Sequence, residues 1–201
     1  MTEHERALRG ELFDPHSDEL VALKHKAHVL CQKFNLTFEG DEGRQEIMKD
    51  VLGDIGPDYL FLGDVRFNYG VNTHIGRNFI ANYHLTVLDD AEVNIGDYVM
   101  LGPNVSIMCA NHPLIPAERE HWVFADGHEA MAEYAKPITI GSHVWVGSNC
   151  TICGGVTIGD GAVIGAGSVV TKDIPAGYVA YGNPCRAMRP ISERDSLLPQ
   201  D

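Results

Sequence analysis

The sequence predicts a mainly β protein: a parallel β-helix of hexapeptide repeats, with an N-terminal two-helix segment and one long excursion loop. Three observations carry this. Apolar residues open successive blocks of six, glycine recurs in the second place of those blocks, and the phase breaks once, directly after a histidine.

From Ile140 the chain divides into IGSHVW, VGSNCT, ICGGVT, IGDGAV, IGAGSV and VTKDIP. Every block opens with Ile or Val. Gly141, Gly147, Gly159 and Gly165 stand second, and Val144, Cys150, Val156, Ala162, Ser168 and Ile174 stand fifth. This is neither the period of a helix nor the plain alternation of a long strand. It follows if short strands turn a corner every six residues. The fifth place of one block and the first of the next then lie two apart on an alternating strand and share its buried side. Glycine in the second place is expected to supply the backbone angles of the corner. Three such sides close a triangular coil of about 18 residues, and stacked coils pair as parallel strands about 4.8 Å apart.

The same phase runs through YGVNTH, IGRNFI, ANYHLT and VLDDAE from Tyr69, and through IGDYVM, LGPNVS and IMCANH from Ile95. Between Val87 and Ile95 the step is eight residues, which predicts a two-residue insertion at one corner. Six on from Ile107 an aliphatic residue is due, but Pro113 stands there and the phase resumes only at Ile140. The step of 33 is not a multiple of six, so PLIPAEREHWVFADGHEAMAEYAKP, residues 113–137, leaves the coil as one long loop. Loops of this length are chiefly functional or disordered, and insertions in repeat proteins gather on the binding face. Trp122, Phe124, Met131 and Tyr134 give this loop apolar anchors.

Ahead of the repeats, Leu20, Leu23, Ala27, Leu30, Cys31 and Phe34 recur at helical spacing after a Ser17 cap. Ile47, Met48, Val51 and Leu52 mark a second short helix that stops at Gly53. Two helices here would cover one end of the coil and hide parallel strand edges.

A chain of 201 residues suits one domain with a small appendage. Its net charge of −13 and pI near 5.1 repel phosphate backbones and anionic lipid, which argues against nucleic acid and membrane partners. Neither a signal peptide nor a long apolar run is legible, so a soluble cytoplasmic protein is expected. The five cysteines are odd in number and scattered, as suits a reducing compartment. Cys150 and Cys153 have CxxC spacing but no second ligand pair, so they are expected to be free thiols rather than a metal site.

NYGVNTHIGRNFIANYHLTVLDDAEVNIGDYVMLGPNVSI, then NHP, then PITIGSHVWVGSNCTICGGVTIGDGAVIGAGSVVTKDIPAG and GNPCRAMR resemble the maltose and galactoside O-acetyltransferases, within the hexapeptide-repeat acyltransferases. IGAGSVVTKDIP marks the broad superfamily, while GELF, NYG, LDD and NHP together point to the sugar branch. The resemblance implies a left-handed coil, a homotrimer with active sites between subunits, and direct transfer from acetyl-CoA to a sugar hydroxyl. On that basis the chain divides into an N-terminal helical segment (1–56), a left-handed β-helix (57–183) carrying the loop at 113–137, and a C-terminal tail (184–201).

An alcohol attacks a thioester only as its proton is withdrawn, and imidazole has the basicity for this at neutral pH. His112, where coil gives way to loop, matches the family's catalytic histidine in the NHP motif. Cys109 offers a rival covalent route, disfavoured by its place near a corner. Transfer also builds an oxyanion that a preplaced donor must meet, and Ser148 with its amide resembles the family's contact there. Coenzyme A is polyanionic, so an acidic protein needs a local cationic patch. Lys172, Arg186 and Arg189 match the phosphate contacts, and Ala166 and Thr171 match the pantetheine and adenosine contacts.

For the acceptor, Asn68, Asn82 and Asp90 fall on positions that the family uses to bind sugar hydroxyls, and Glu133 matches an acceptor-cleft position of the maltose-type relatives. Either Asp14 or Asp18 supplies the acidic N-terminal contact. Two departures bear on the substrate: Ile80 replaces an aromatic sugar contact, and the loop is several residues longer than usual.

The alternatives are a xenobiotic O-acetyltransferase on the same coil, a zinc carbonic anhydrase fed by His74, His84, His112, His121 and His128, and a non-catalytic scaffold. The two-helix start favours the sugar branch over the first. The second lacks the expected HxxxxH pair, so no metal is expected.

Overall fold

The computed structural model describes residues 1–198 and is a triangular coil of parallel strands with three faces. The first face stacks Asp54–Ile55, Thr73–Ile75, Val93–Ile95, Ile138–Ile140 and Thr157–Ile158. The second stacks Leu60–Phe61, Ile80–Ala81, Met100–Leu101, Trp145–Val146, Val163–Ile164 and Tyr178–Gly182, with Cys185–Pro190 added antiparallel at the end. The third stacks Val65–Phe67, Leu85–Leu88, Ser106–Met108, Thr151–Cys153 and Val169–Val170.

First and fifth places of the blocks face inward, as expected. Ile140, Val144, Val146, Cys150, Ile152, Val156, Ile158, Ala162 and Ile164 are all buried and fill the coil's axis. Ser168 is the polar exception in the fifth place. Its hydroxyl donates to the Gly165 carbonyl and accepts from the Gly182 amide at 3.1 Å, so the group is satisfied although fully enclosed.

The corner glycines do something other than expected. The left-handed backbone sits in the fourth place of the block, at Asn78, Tyr98, Asn104, His143 and Asn149, and at Gly155, Gly161 and Gly167. Apart from Gly70, with φ +74°, the second-place glycines do not have positive φ; they are needed because the next coil passes over them. A Cβ on Gly147 would stand 2.7 Å from the Ala166 nitrogen.

Coil length also differs. Pairing of Asp54 with His74 and of Thr73 with Val93 gives a step of 20 residues, against 18 from Thr139 to Thr157 and 16 from Val163 to Val179. The early coils carry their extra residues at one place, the corner between the third face and the next first face: residues 68–72, then 89–92. The long excursion leaves from that same corner. We call it the third corner, and the one between the second and third faces the second corner.

Three helices rather than two close the N-terminal end. α1 (Glu3–Leu8) has a complete capping box between Thr2 and Glu5, a T-x-x-E signal present in the sequence. α2 (Asp18–Asn35) buries Leu20, Ala27, Cys31 and Phe34, although Ser17 makes no side-chain cap bond. α3 (Ile47–Val51) buries Ile47, Met48 and Val51. Arg44, 3% exposed, binds the carbonyls of Phe34, Thr37 and Gly63 and lies 3.8 Å over the Phe34 ring, tying the helices to the first coil. No helix among the described residues is long and apolar enough to cross a membrane.

The excursion is built rather than loose. Ala110–Asn111 pairs antiparallel with Tyr134–Ala135 as a neck, followed outward by α4 (Pro116–Glu120) and the hairpin Trp122–Val123 with Glu129–Ala130. Of the expected tail, residues 199–201 lie outside the described residues, and Cys185–Pro190 is a strand.

Candidate functional site

Insertions at the third corner free that corner from tight packing, and polar side chains collect there. Asn68 and Asp90 come from successive coils, and the Asn68 amide donates to Asp90 Oδ1 at 2.9 Å. Asp90 is 1% exposed, and its Oδ2 has no hydrogen-bond partner among the described residues. Burial first, then the nearby charges of Glu133 and Asp89, push its pKa up to about 7, against the opposing pull of Lys24. Beside it the Tyr69 hydroxyl is likewise buried and unpartnered, and burial with these carboxylates raises its pKa. Asp89 below is a structural group: it accepts from the Tyr69 amide and the Thr73 hydroxyl.

His112 stands on the excursion just past the neck, its side chain 44% exposed. Its Nε2 lies 3.8 Å from Glu133 Oε1, whose side chain is 16% exposed. Glu133 is held by its main chain, donating to and accepting from Phe13 at 3.1 and 2.9 Å. The structure therefore brings Asn68, Asp90, Glu133 and His112 to one corner.

Thr171 and Lys172 fall on the same corner two coils further on, both exposed. Asn82, Ser148 and Ala166 do not join them. They line the second corner, Ser148 and Ala166 in successive coils and Asn82 two coils before Ser148, with the Ser148 amide directly over Gly102 and the Ala166 amide over Gly147. The Asn82 side chain accepts from the Tyr83 amide, a local turn bond. Arg186 and Arg189 lie on the last strand, Cys185–Pro190. Arg186 donates to its neighbour's carbonyl, whereas Arg189 is already paired with Asp195.

Cys109 is fully buried, and burial pushes its thiol up to about 12, so the thiolate that a covalent route needs is suppressed. Asp18 is exposed in the first turn of α2. Asp14 lies 3.6 Å from His128, which stacks on Phe124 at 4.4 Å and bonds Asp126, so the hairpin of the excursion rests on the N-terminal segment. His74, His84 and His121 each pair with a separate carboxylate: Glu92, Asp64 and Glu129. Among the described residues no group of three or more metal-ligating side chains converges.

Phe13, Tyr69 and Lys24 are site neighbours that the sequence reading missed. Lys24 carries its ammonium 5.6 Å over the Tyr69 ring. Its signal was only the helical phase of α2, which does not say which flank meets the corner.

Comparison with known proteins bears on the family. Residues 6–56 match the maltose acetyltransferase hexapeptide capping motif, and residues 137–172 match the bacterial transferase hexapeptide of six repeats. The galactoside O-acetyltransferase of Escherichia coli K12 is 43% identical over 196 residues, spanning 97% of this chain and 91% of that one. A maltose O-acetyltransferase structure from Clostridium difficile 630 superposes with a TM-score of 0.88 at 42% identity, covering 96% of this chain and 99% of its own. A galactoside acetyltransferase in complex with coenzyme A gives the same score and identity, covering 97% and 94%.

Proposed function

Because this chain belongs to the maltose and galactoside O-acetyltransferase family of hexapeptide-repeat acyltransferases, we propose that it moves acetyl from acetyl-CoA to a sugar hydroxyl by direct transfer, with His112 as general base. The observation that carries this reading is that two pairs, Asn68 with Asp90 and His112 with Glu133, stand at the corner where the coil is interrupted, with the charge of Glu133 felt by Asp90. Asn68 and Asp90 can pair with hydroxyls of one acceptor, leaving its reacting hydroxyl to the imidazole. The hydroxyl proton passes to His112 as the oxygen bonds to the acetyl carbon. Ser148 and its amide meet the charge developing on the carbonyl oxygen, and the proton is then returned to the departing thiolate sulfur.

Separation of the named residues over two corners supports a homotrimer. Asn82, Ser148 and Ala166 lie on a different vertex of the triangle from His112, so a cleft using both needs the second corner of a neighbouring copy. The outer side of the second face supplies a matching surface. Leu60, Ile80, Met100, Trp145, Val163 and Val179 form one apolar ladder through consecutive coils, with Ile80, Met100 and Trp145 exposed at 37, 48 and 51%. The first face carries Asp54, His74, Asn94, Thr139 and Thr157 outward instead. An apolar ladder beside a polar one is the signature of a covered face.

Acetyl-CoA fits what this chain offers. Lys172 and Arg186 are exposed cations in an otherwise acidic protein, and the second corner presents the small residues Gly147, Ser148, Gly165 and Ala166. The burial of Cys109 supports transfer without an acetyl-enzyme.

The test is turnover of acetyl-CoA with glucosides, maltose and galactosides, set against chloramphenicol and streptogramins. Substitution His112→Ala should lower kcat by roughly two orders of magnitude with cofactor affinity nearly intact. Sugar-independent turnover, or full activity in that variant, would overturn the reading.

A further inference from the structure

We propose that Glu133 is a positioning residue for His112, which orients the imidazole and stabilises its charged form, rather than a contact to the acceptor. This rests on the reading of His112 as the base. In the antiparallel neck of the excursion Ala110 faces Ala135 and Asn111 faces Tyr134, so the next rung sets His112 opposite Glu133. Directly opposed residues of an antiparallel pair have their Cβ atoms about 4.5–5.5 Å apart, which puts their side chains in contact whatever else surrounds them. The Nε2 to Oε1 distance of 3.8 Å is that contact.

Glu133 is fixed on its other edge as well. Its amide donates to the Phe13 carbonyl at 3.1 Å and its carbonyl accepts from the Phe13 amide at 2.9 Å. The N-terminal segment thus bridges to the neck at Glu133, whose amide and carbonyl are both taken up by Phe13. An acceptor contact needs no such bracing; a group that must hold a ring in one orientation does. Glu133 is also mostly buried, its side chain 16% exposed, and its charge is felt by Asp90 and Tyr69.

The chemistry follows. With Nε2–H turned to Glu133, Nδ1 is left as the nitrogen that takes the hydroxyl proton. When it does, the ring becomes a cation facing a carboxylate, and the 3.8 Å gap can close to a charge-assisted hydrogen bond. The proton goes on to the thiolate sulfur as its bond to the acetyl carbon breaks, and none is passed to Glu133.

The experiment compares wild type, His112→Ala, Glu133→Gln, Glu133→Ala and Glu133→Asp, measuring kcat, acceptor KM and the pH dependence of kcat/KM. Thermal melting of each variant accompanies the kinetics. Glu133→Gln keeps size and both bonds to Phe13, and should lower kcat by about tenfold while acceptor KM stays within about twofold. The acid limb of its kcat/KM profile should move to lower pH, because the charge that favours the imidazolium is gone. Glu133→Asp should recover part of kcat.

A raised KM with kcat retained would make Glu133 an acceptor contact and overturn the inference. So would an unchanged kcat, or a loss of activity that only tracks a loss of melting temperature. Failure of the two readings is separable. An active His112→Ala removes the general base itself, whereas an inactive His112→Ala beside a fully active Glu133→Gln removes only this inference.

Discussion

Both carboxylate oxygens of Asp195 lie against the guanidinium of Arg189, at 2.7 and 2.6 Å. The sequence treats Lys172, Arg186 and Arg189 as one cationic patch, but only two of the three are offered freely. Asp195 is itself set by the Ser192 amide, and the pairing holds its carboxyl well down, at about 2.

A guanidinium already forked onto a carboxylate must release it before it can bind phosphate. We therefore expect Arg189→Ala to weaken coenzyme A binding by less than about twofold, and Arg186→Ala or Lys172→Ala by roughly five- to tenfold at low salt. Titration calorimetry at two ionic strengths measures both. An Arg189→Ala loss as large as that of Arg186→Ala would mean that phosphate displaces Asp195 easily.

The corner glycines give a prediction about stability. Alanine at Gly147 would place its Cβ 2.7 Å from the Ala166 nitrogen and 3.0 Å from the Ile164 carbonyl oxygen, both backbone atoms of the next coil. Alanine at Gly161 would meet nothing within 4 Å but must adopt φ near +66°. Overpacking against backbone should cost about 2–3 kcal/mol, and a single left-handed alanine about 1–2 kcal/mol. Denaturant unfolding of Gly147→Ala and Gly161→Ala at one protein concentration tests this, with Gly147→Ala the less stable. The reverse order would restore the view that corner angles, not coil spacing, select glycine in the second place.

Periodicity made the coil legible because its interior is a single column of aliphatic side chains, and a period of six survives any local variation in the polar positions. It revealed the 20-residue coil from Thr73 to Val93 through the step of eight between Val87 and Ile95, but not the equally long coil from Asp54 to His74. Starting the phase at Tyr69 conceals the step of eight from Phe67 to Ile75, since the buried Tyr69 and Thr73 imitate a regular block. The N-terminal helix was legible in Thr2 and Glu5 and went unread. His112 could be placed by the break in phase. Its relation to Glu133 could not, because 20 residues of excursion separate them and only the antiparallel register of the neck makes them neighbours.

The carboxyl of Asp90 ties stability to pH in a direction opposite to most carboxylates. Burial, reinforced by Glu133 and Asp89, raises its pKa from 3.8 to about 7. The folded state then binds this proton more tightly than the unfolded chain does, so Asp90 contributes most below about pH 4, and that contribution is lost as pH rises toward 7. Asp90→Asn keeps the shape and the neighbour Asn68 but cannot ionise. Near pH 5 the two proteins should melt at similar temperatures, and at pH 8 the Asn variant should be the more stable by on the order of 2–4 kcal/mol. If Asp90 pairs with acceptor hydroxyls as proposed, acceptor KM should rise as the melting temperature does, a trade of activity against stability. Melting curves at pH 5 and pH 8 at fixed protein concentration decide the matter. Equal gaps between the two proteins at both pH values would show that Asp90 ionises without strain, and that a donor from the neighbouring copy reaches its unpartnered Oδ2.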